Sequence, residues 1–473
     1  MNKEPTALPM LPLTDLVESI PERISLKLGR AEHDFGTGAL SQTLGINANY
    51  LGPVLRVKSG QALPFEVQNT LADPVALHWH GLHIPGNVDG GPHQEILSGE
   101  TWNPDVPISQ VASTNWFHSH THGKTAQQVY HGLAGVLIVE DDASLSADLP
   151  NTYGLDDLTI VLQDKLFGDD GTLFYAVTPD VFEDGLEGDT VVLNGAIAPV
   201  FHTVPAGLVR LRFLNASSAR FLRLSLANGA PLTVIASDGG FLSTPVETKN
   251  LVMSSGERYE IVLDTRGFDS LDLKVSFVQG EADAIETVGR VLSGYPPTTT
   301  ALTLKIDPAL PAFDASMPKT LANLPPPRPE TAKRVREFNL DMGTSEELAK
   351  LAVLWGNFCG APGTAMGING KPMKMDRIDE SVPIGEPEIW RITADDMQHP
   401  FHIHGCSFRI LKQRGSEPPE YASGWKDMVT IEGGASEVLV NFNHRADSRT
   451  PYMYHCHILE HEDCGMMGQF TVE

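Results

Sequence analysis

Apolar and polar residues alternate with period two in short runs along most of the chain. The runs stop at Gly, Pro, Asn or Asp. Ser25–Leu28, Leu55–Lys58, Leu63–Val67, Val209–Asn215 and Glu388–Ile392 read this way, and each predicts a strand with one buried face. Gly132–Glu140 is apolar nearly throughout, which predicts a strand covered on both faces. Helical spacing is confined to about Ser345–Leu354. Pro308–Arg336, with Pro325-Pro-Pro-Arg-Pro329 inside it, reads as an extended linker. The pattern predicts an all-β protein built of Greek-key sandwiches.

The pattern also repeats. His78-Trp-His80-Gly81, then His118-Ser-His120, then the strand from Gly132, form a series near the N-terminus. His402-Ile-His404-Gly405, then His455-Cys456-His457, then the strand from Gly465, form the same series near the C-terminus, with Cys456 where the first has Ser119. Between them the strand rhythm persists without the histidine pairs, and Val234–Gly240 occupies the place of the first pair. Three domains follow, at 1–148, 149–307 and 308–473, the middle one without metal-binding residues.

A length of 473 residues suits roughly two to four domains. The 41% hydrophobic content is enough to bury their cores. A net charge of −26 argues against nucleic acid and against an anionic membrane surface as partners, and no apolar run is long enough to span a membrane. Met1–Met10 lacks the apolar centre of a signal peptide, so a cytoplasmic protein or a processed end is expected from the residues alone. Cys359, Cys406, Cys456 and Cys464 are too few for a disulfide scaffold. A bond between Cys406 and Cys464 competes with two buried free thiols, and the free thiols are expected.

One His-x-His pair on a strand is ordinarily an edge feature. Four pairs, symmetric between two repeats, would leave eight buried imidazoles needing partners, and a metal supplies them. Side chains alternate across a strand, so His455 and His457 face one way and Cys456 the other. Two metal centres can therefore share that strand. A thiolate with imidazoles and a nearby thioether selects copper in an electron-transfer site. His399 stands outside the paired rhythm and is free to join Cys456, His461 and Met466.

These four histidine motifs, with Gly424-Trp-Lys-Asp427, resemble the copper motifs of multicopper oxidases over nearly the whole chain. Their wording is nearest to bacterial laccase-like cuprous oxidases of copper tolerance. The resemblance implies three cupredoxin-like domains and four coppers. A type 1 copper would take His399, Cys456, His461 and, axially, Met466. A type 2 copper would take His78 and His402. Two type 3 coppers would take His80, His118 and His457, and His120, His404 and His455. It implies four one-electron oxidations of phenolic or aromatic substrates, or of Cu(I), coupled to reduction of O2 to water. Asp89 and Glu462 match the family's acids for proton delivery; their plainer readings are a turn residue and a solvated loop carboxylate. Asp395, Met397 and Met342 would be remnants of a cuprous substrate site, with rim or core packing as the alternative for the two methionines. The Met-rich insert of the copper-tolerance members is reduced here to a short segment from Asp341 to Lys374.

The family also implies a monomer exported to the periplasm. Competing readings are an oxidase dedicated to copper detoxification, a copper-buffering protein and a non-enzymatic scaffold of the same fold. His122 is expected beside the cluster or at the surface. His83, His93, His131, His202 and His444 lie outside the motifs, and His33 has no assigned place.

Overall fold

Period-two burial governs the strands. Ile24–His33 begins with strict alternation of buried and exposed positions, so one face enters a core and the other meets solvent. Ser113–Ser119 and Ala134–Glu140 are buried at every position. Phe117, Leu137 and Val139 enter one core while Trp116, Val136 and Ile138 pack with Val161, Val192 and Leu214 of the middle sandwich. The computed structural model describes residues 5–176, 179–278, 298–343, 366–394 and 397–473. The helical spacing at 345–354 lies outside them.

The strands form six sheets, paired as three cupredoxin-like sandwiches. In the first, one sheet runs in the order Leu13–Asp15, Val54–Lys58, Ala134–Glu140, Ser113–Ser119, Leu77–His78. In the third, the matching sheet runs Glu380–Val382, Met467–Val472, Tyr452–Cys456, His399–Ile403, Met428–Ile431. In both, the two histidine-bearing strands are antiparallel neighbours. His118 is paired with His78, and His455 with His402. The middle sandwich contributes the two largest sheets, of six and eight strands. The chain's first strand, Thr6–Ala7, joins this middle sandwich beside Val200–Pro205.

The linker after residue 308 is extended and anchored by its backbone. Phe313 O accepts from Leu208 N, Leu321 N donates to Ser243 O, and Pro325 O accepts from Arg409. Buried ion pairs join the middle and third sandwiches. Arg258 holds Asp427 through both guanidinium ends, and Lys426 lies 2.9 Å from Asp238 and 2.5 Å from Glu257. Each charge there is desolvated, so removing one partner would strand the other at a cost of about 3–5 kcal/mol. Cys406 and Cys456 are buried free thiols, whereas Cys464 is disulfide-bonded. This corrects the expectation of a free thiol at Cys464, and it leaves Cys406 unpaired with it. The two side chains hold different places: Cys464 closes the helix Leu459–Asp463, while Cys406 lines a cavity beside His83 and Trp425.

Candidate metal centres

Strand parity decides which side chains meet. Phe401 and Ile403 enter the core of the third sandwich together with Tyr454 and Cys456. His402, His404, His455 and His457 therefore face away from that core, toward the first sandwich. There Trp79 and Leu77 enter the core and turn His78 and His80 outward. The glycine after each first pair permits this approach. At Gly81, with φ +89°, a Cβ would come within 2.6 Å of Arg258; at Gly405, with φ +74°, it would meet the Tyr452 ring at 2.6 Å.

Eight buried imidazoles result, four from each half of the chain. Their ligand atoms fall into groups within 4.8 Å of one another: His78 with His80 and His402, His80 with His118 and His457, and His120 with His404 and His455. The outer nitrogens are fixed by the protein. His78 Nδ1 donates to Asp89 O at 2.9 Å, and His402 Nδ1 to Asp427 O at 2.9 Å. His118 Nδ1 donates to Ser119 O at 2.8 Å, and His455 Nδ1 to Cys456 O at 3.0 Å. His404 Nδ1 lies 2.8 Å from Asp89 Oδ2, and His80 Nε2 lies 3.2 Å from Asp427 Oδ1. Glu462 sits 3.2 Å from both His120 Nδ1 and His455 Nδ1.

The inner nitrogens are then bare lone pairs. His120, His404 and His455 bring their Nε2 atoms to 3.2–3.3 Å of one another. With each ring's proton held at Nδ1, none of the three can donate to the others. The Nε2 atoms of His78, His402 and His457 have no hydrogen-bond partner among the described residues. Burial lowers the basicity of His80, His118, His120, His402 and His404, and neighbouring imidazoles reinforce the effect in most of them. His457 is drawn down to about 3 by the same causes. Protons therefore do not relieve the repulsion. Convergent neutral imidazoles with their outer N–H groups anchored are the donor set of a metal site. The residues fit a cluster of copper ions.

On the other face of the same strand, Cys456 Sγ lies 3.4 Å from His399 Nδ1 and 3.7 Å from His461 Nδ1. His461 Nε2 is anchored on Glu183 O at 3.1 Å. Met466 is buried in the same core as Cys456, and its backbone bonds to both Cys456 and His461. Burial pushes the Cys456 thiol well above the usual cysteine range, although the Ile458 N–H aimed at the sulfur opposes this. A thiol so placed becomes a thiolate only when a cation replaces its proton. One thiolate, two imidazoles and a thioether fit copper.

Asp89 is buried between His78 and His404, and its Oδ1 has no hydrogen-bond partner among the described residues. Glu462 is buried as well. Burial would raise its pKa, but His120 and His455 outweigh that and hold it well below the usual carboxylate range. Its plain reading as a solvated loop carboxylate therefore does not hold. Met342 is buried in the third core. Met397 packs against that core and lines a cavity of about 330 Å³ with Asp184, Glu187, Gln398 and Glu432. Asp395 lies outside the described residues. His122 is half-buried and belongs to none of the metal groups found among the described residues.

The middle sandwich also reaches the cluster, which the sequence reading missed. Ser255 Oγ is 3.3 Å from His457 Nδ1, Gly256 backs the His457 ring, and Arg258 holds the Asp427 carboxylate against His80. The available signal was the run of charged residues in an otherwise apolar strand at Arg258-Tyr-Glu260.

Three family models described as "Multicopper oxidase" match residues 28–144, 162–271 and 337–473. The multicopper oxidase mco of Staphylococcus aureus is 35% identical over 95% of this chain and 88% of its own. The cell division protein FtsP of Escherichia coli (strain K12) is also 35% identical, over 98% and 92%. Among solved structures, CueO from the lignin-degrading bacterium Ochrobactrum sp. superposes with a TM-score of 0.89 at 39% identity. The match covers 98% of this chain and 100% of that one. That structure is described as a laccase-like multi-copper oxidase with activity towards lignin model compounds and lignosulfonate. A metallo-oxidase from Campylobacter jejuni gives 0.81 at 26% identity, covering 99% and 96%.

Proposed function

Because this chain belongs to the multicopper oxidase family, we propose that it is a working oxidase that couples one-electron oxidation of a phenolic or cuprous substrate to reduction of O2 to water. The observation that carries this reading is the triad of His120, His404 and His455 Nε2 atoms, 3.2–3.3 Å apart, with the Nδ1 atom of each ring turned to an oxygen acceptor. A scaffold or cell-division role, as the name FtsP would suggest, has no use for such a constellation. A metal-buffering role has no use for a thiol flanked by two cluster histidines.

In this reading His399, Cys456, His461 and Met466 hold one copper. His78 and His402 hold a second. His80, His118 and His457 hold a third, and His120, His404 and His455 a fourth. Bound there, the coppers supply single-electron acceptance at the sulfur site and four-electron reduction of O2 at the cluster. The chain's own residues do the rest. Cys456 carries peptide bonds to His455 and His457 directly, so the electron path between the sites is covalent and short. Glu462 orients His120 and His455 and exchanges protons at their Nδ1 side. Asp89 orients His404 through Oδ2 and presents Oδ1 to the cluster as a proton carrier. The cavity lined by Met397 and Gln398, the two residues that precede His399 in the chain, is the entry we assign to the reductant.

The copper-loaded protein should show the blue absorption of a thiolate-bound copper. It should also consume O2 with a phenolic donor and with Cu(I). Cys456→Ser should abolish the blue band and the O2 uptake while keeping the histidine-bound copper. A loaded protein that stays colourless, or one that is blue but takes up no O2 with either donor, would sink the oxidase reading. The ratio of the two donor rates assigns the substrate class.

A further inference from the structure

Met466 and Met467 are adjacent, so their side chains leave the strand on opposite faces. Met466 joins the core around Cys456. Met467 joins Met453 and Met373 in a separate buried hydrophobic cluster that holds, among the described residues, these three methionines alone. Strand register puts this cluster on the histidine side. Met467 is paired with His455 and Met453 with Gln469, and paired residues share a face. Met453 also lies two residues before His455 on that face.

The third methionine comes from a loop that is firmly held. Met373 N donates to Gly465 O at 3.0 Å. Gln469 Nε2 donates to the carbonyls of Lys374, Met375 and Arg377, and Gln469 Oε1 meets His93 Nε2 at 2.7 Å. The cluster thus has a fixed frame. Two directions lead away from it. Outward, Met373 is 8% exposed and Met375, two residues on, is 36% exposed. Inward, Gly91 leaves a gap: a Cβ there would stand 3.9 Å from Met453 Cε and 3.6 Å from Asp89 Oδ2. Gly91 thus stands between Met453 and the carboxylate that lies against His404.

A core filled for stability alone favours branched aliphatic residues with defined rotamers, and methionine is a flexible filler. Three clustered methionines, with no aliphatic member of the cluster among the described residues, offer instead soft thioether donors, which favour a monovalent d10 ion over harder cations. We propose that Met373, Met453 and Met467 form a binding site for Cu(I), placed between the surface at Met375 and the histidine cluster, from which copper is handed inward past Gly91. The site lies on the opposite face of the sheet from Cys456 and is separate from the electron-entry copper. The direction of transfer rests on the reading of the histidines as a copper cluster; the binding itself does not.

Silver(I) is a suitable probe, because it mimics Cu(I) and is not oxidised by O2. In the full, copper-loaded chain with Cys406→Ser removing the other free thiol, one silver ion should bind beyond the resident copper, with a sulfur-only shell by X-ray absorption. Met373→Leu/Met467→Leu should lose that ion. Leucine conserves volume, and an unchanged blue band would report that the variant has folded. Absence of the extra silver, a nitrogen or oxygen shell, or silver binding untouched by the leucine pair would overturn the site. Anaerobic loading of the metal-free chain with Cu(I) tests the transfer. The leucine pair should fill the histidine cluster roughly tenfold more slowly, to the same final copper content. An unchanged loading rate would overturn the relay even if silver binds. Neither readout depends on O2 turnover, so failure here is distinct from failure of the oxidase reading.

Discussion

His455, Cys456 and His457 are three consecutive residues that serve two sites, because strand geometry sends neighbours to opposite faces. Around them, individual side chains do nearly all the orienting. Glu462 is the acid that touches two cluster imidazoles at once. Replacing it with Gln keeps the shape and removes the charge and the proton exchange. We expect Glu462→Gln to retain full copper content and the blue band while kcat falls by ~10²-fold or more. Steady-state O2 uptake set beside metal analysis checks this, and an undiminished kcat at full copper content would remove Glu462 from proton delivery.

At the scale of elements, the turn before the strand Arg258–Asp264 and the strand itself deserve equal weight with the histidine strands. Gly256 has φ +85°, and a Cβ there would come within 3.2 Å of three atoms of the His457 ring. Gly256→Ala should therefore displace His457 and lower the copper content of the cluster, leaving the sulfur-bound copper and its colour in place. Further along the strand, Glu260 is buried between Arg210 and Arg212. Burial would raise its pKa, but the two guanidinium groups outweigh that and lower it to about 2. A carboxylate with a depressed folded pKa contributes stability that is complete above its unfolded value and is lost as pH falls towards the folded one. Glu260→Gln should thus cost roughly 3–5 kcal/mol near neutrality, because two buried cations lose their partner. It should also flatten the acid limb of the stability curve between about pH 4.5 and 2. Urea unfolding across that range measures both effects.

For the molecule as a whole, the histidine cluster exists only because the first and third sandwiches meet across it, with the middle one braced behind. Without metal, that meeting brings bare lone pairs together. Burial depresses the basicity of His80, His118, His120, His402, His404 and His457, so the unfolded chain takes up protons near pH 6.5 that the folded chain refuses. More protons on the unfolded side means that stability falls as pH drops below that value. The metal-free protein should therefore melt progressively lower from about pH 7 to 5.5. The copper-loaded protein should melt higher throughout, because copper binds only the folded arrangement. Calorimetry of the two forms over that pH range checks this. Equal melting temperatures would mean that the cluster gains nothing from metal.

Among the described residues, no helix is long and apolar enough to cross a membrane. The sequence alone fixed what is local. Period-two patterning gave an all-β chain, the repeat gave two histidine-bearing sandwiches around a plain one, and parity separated Cys456 from its neighbours. Those features follow from a backbone rule that acts over two or three residues. Tertiary structure decided which faces meet. It brought Ser255, Gly256 and Arg258 behind the cluster, gathered Met373, Met453 and Met467 from two strands and a loop, and left Cys406 free while Cys464 is bonded. Contacts between residues far apart in the chain depend on how whole sheets pack, and alternation within a strand carries no information about its distant neighbour.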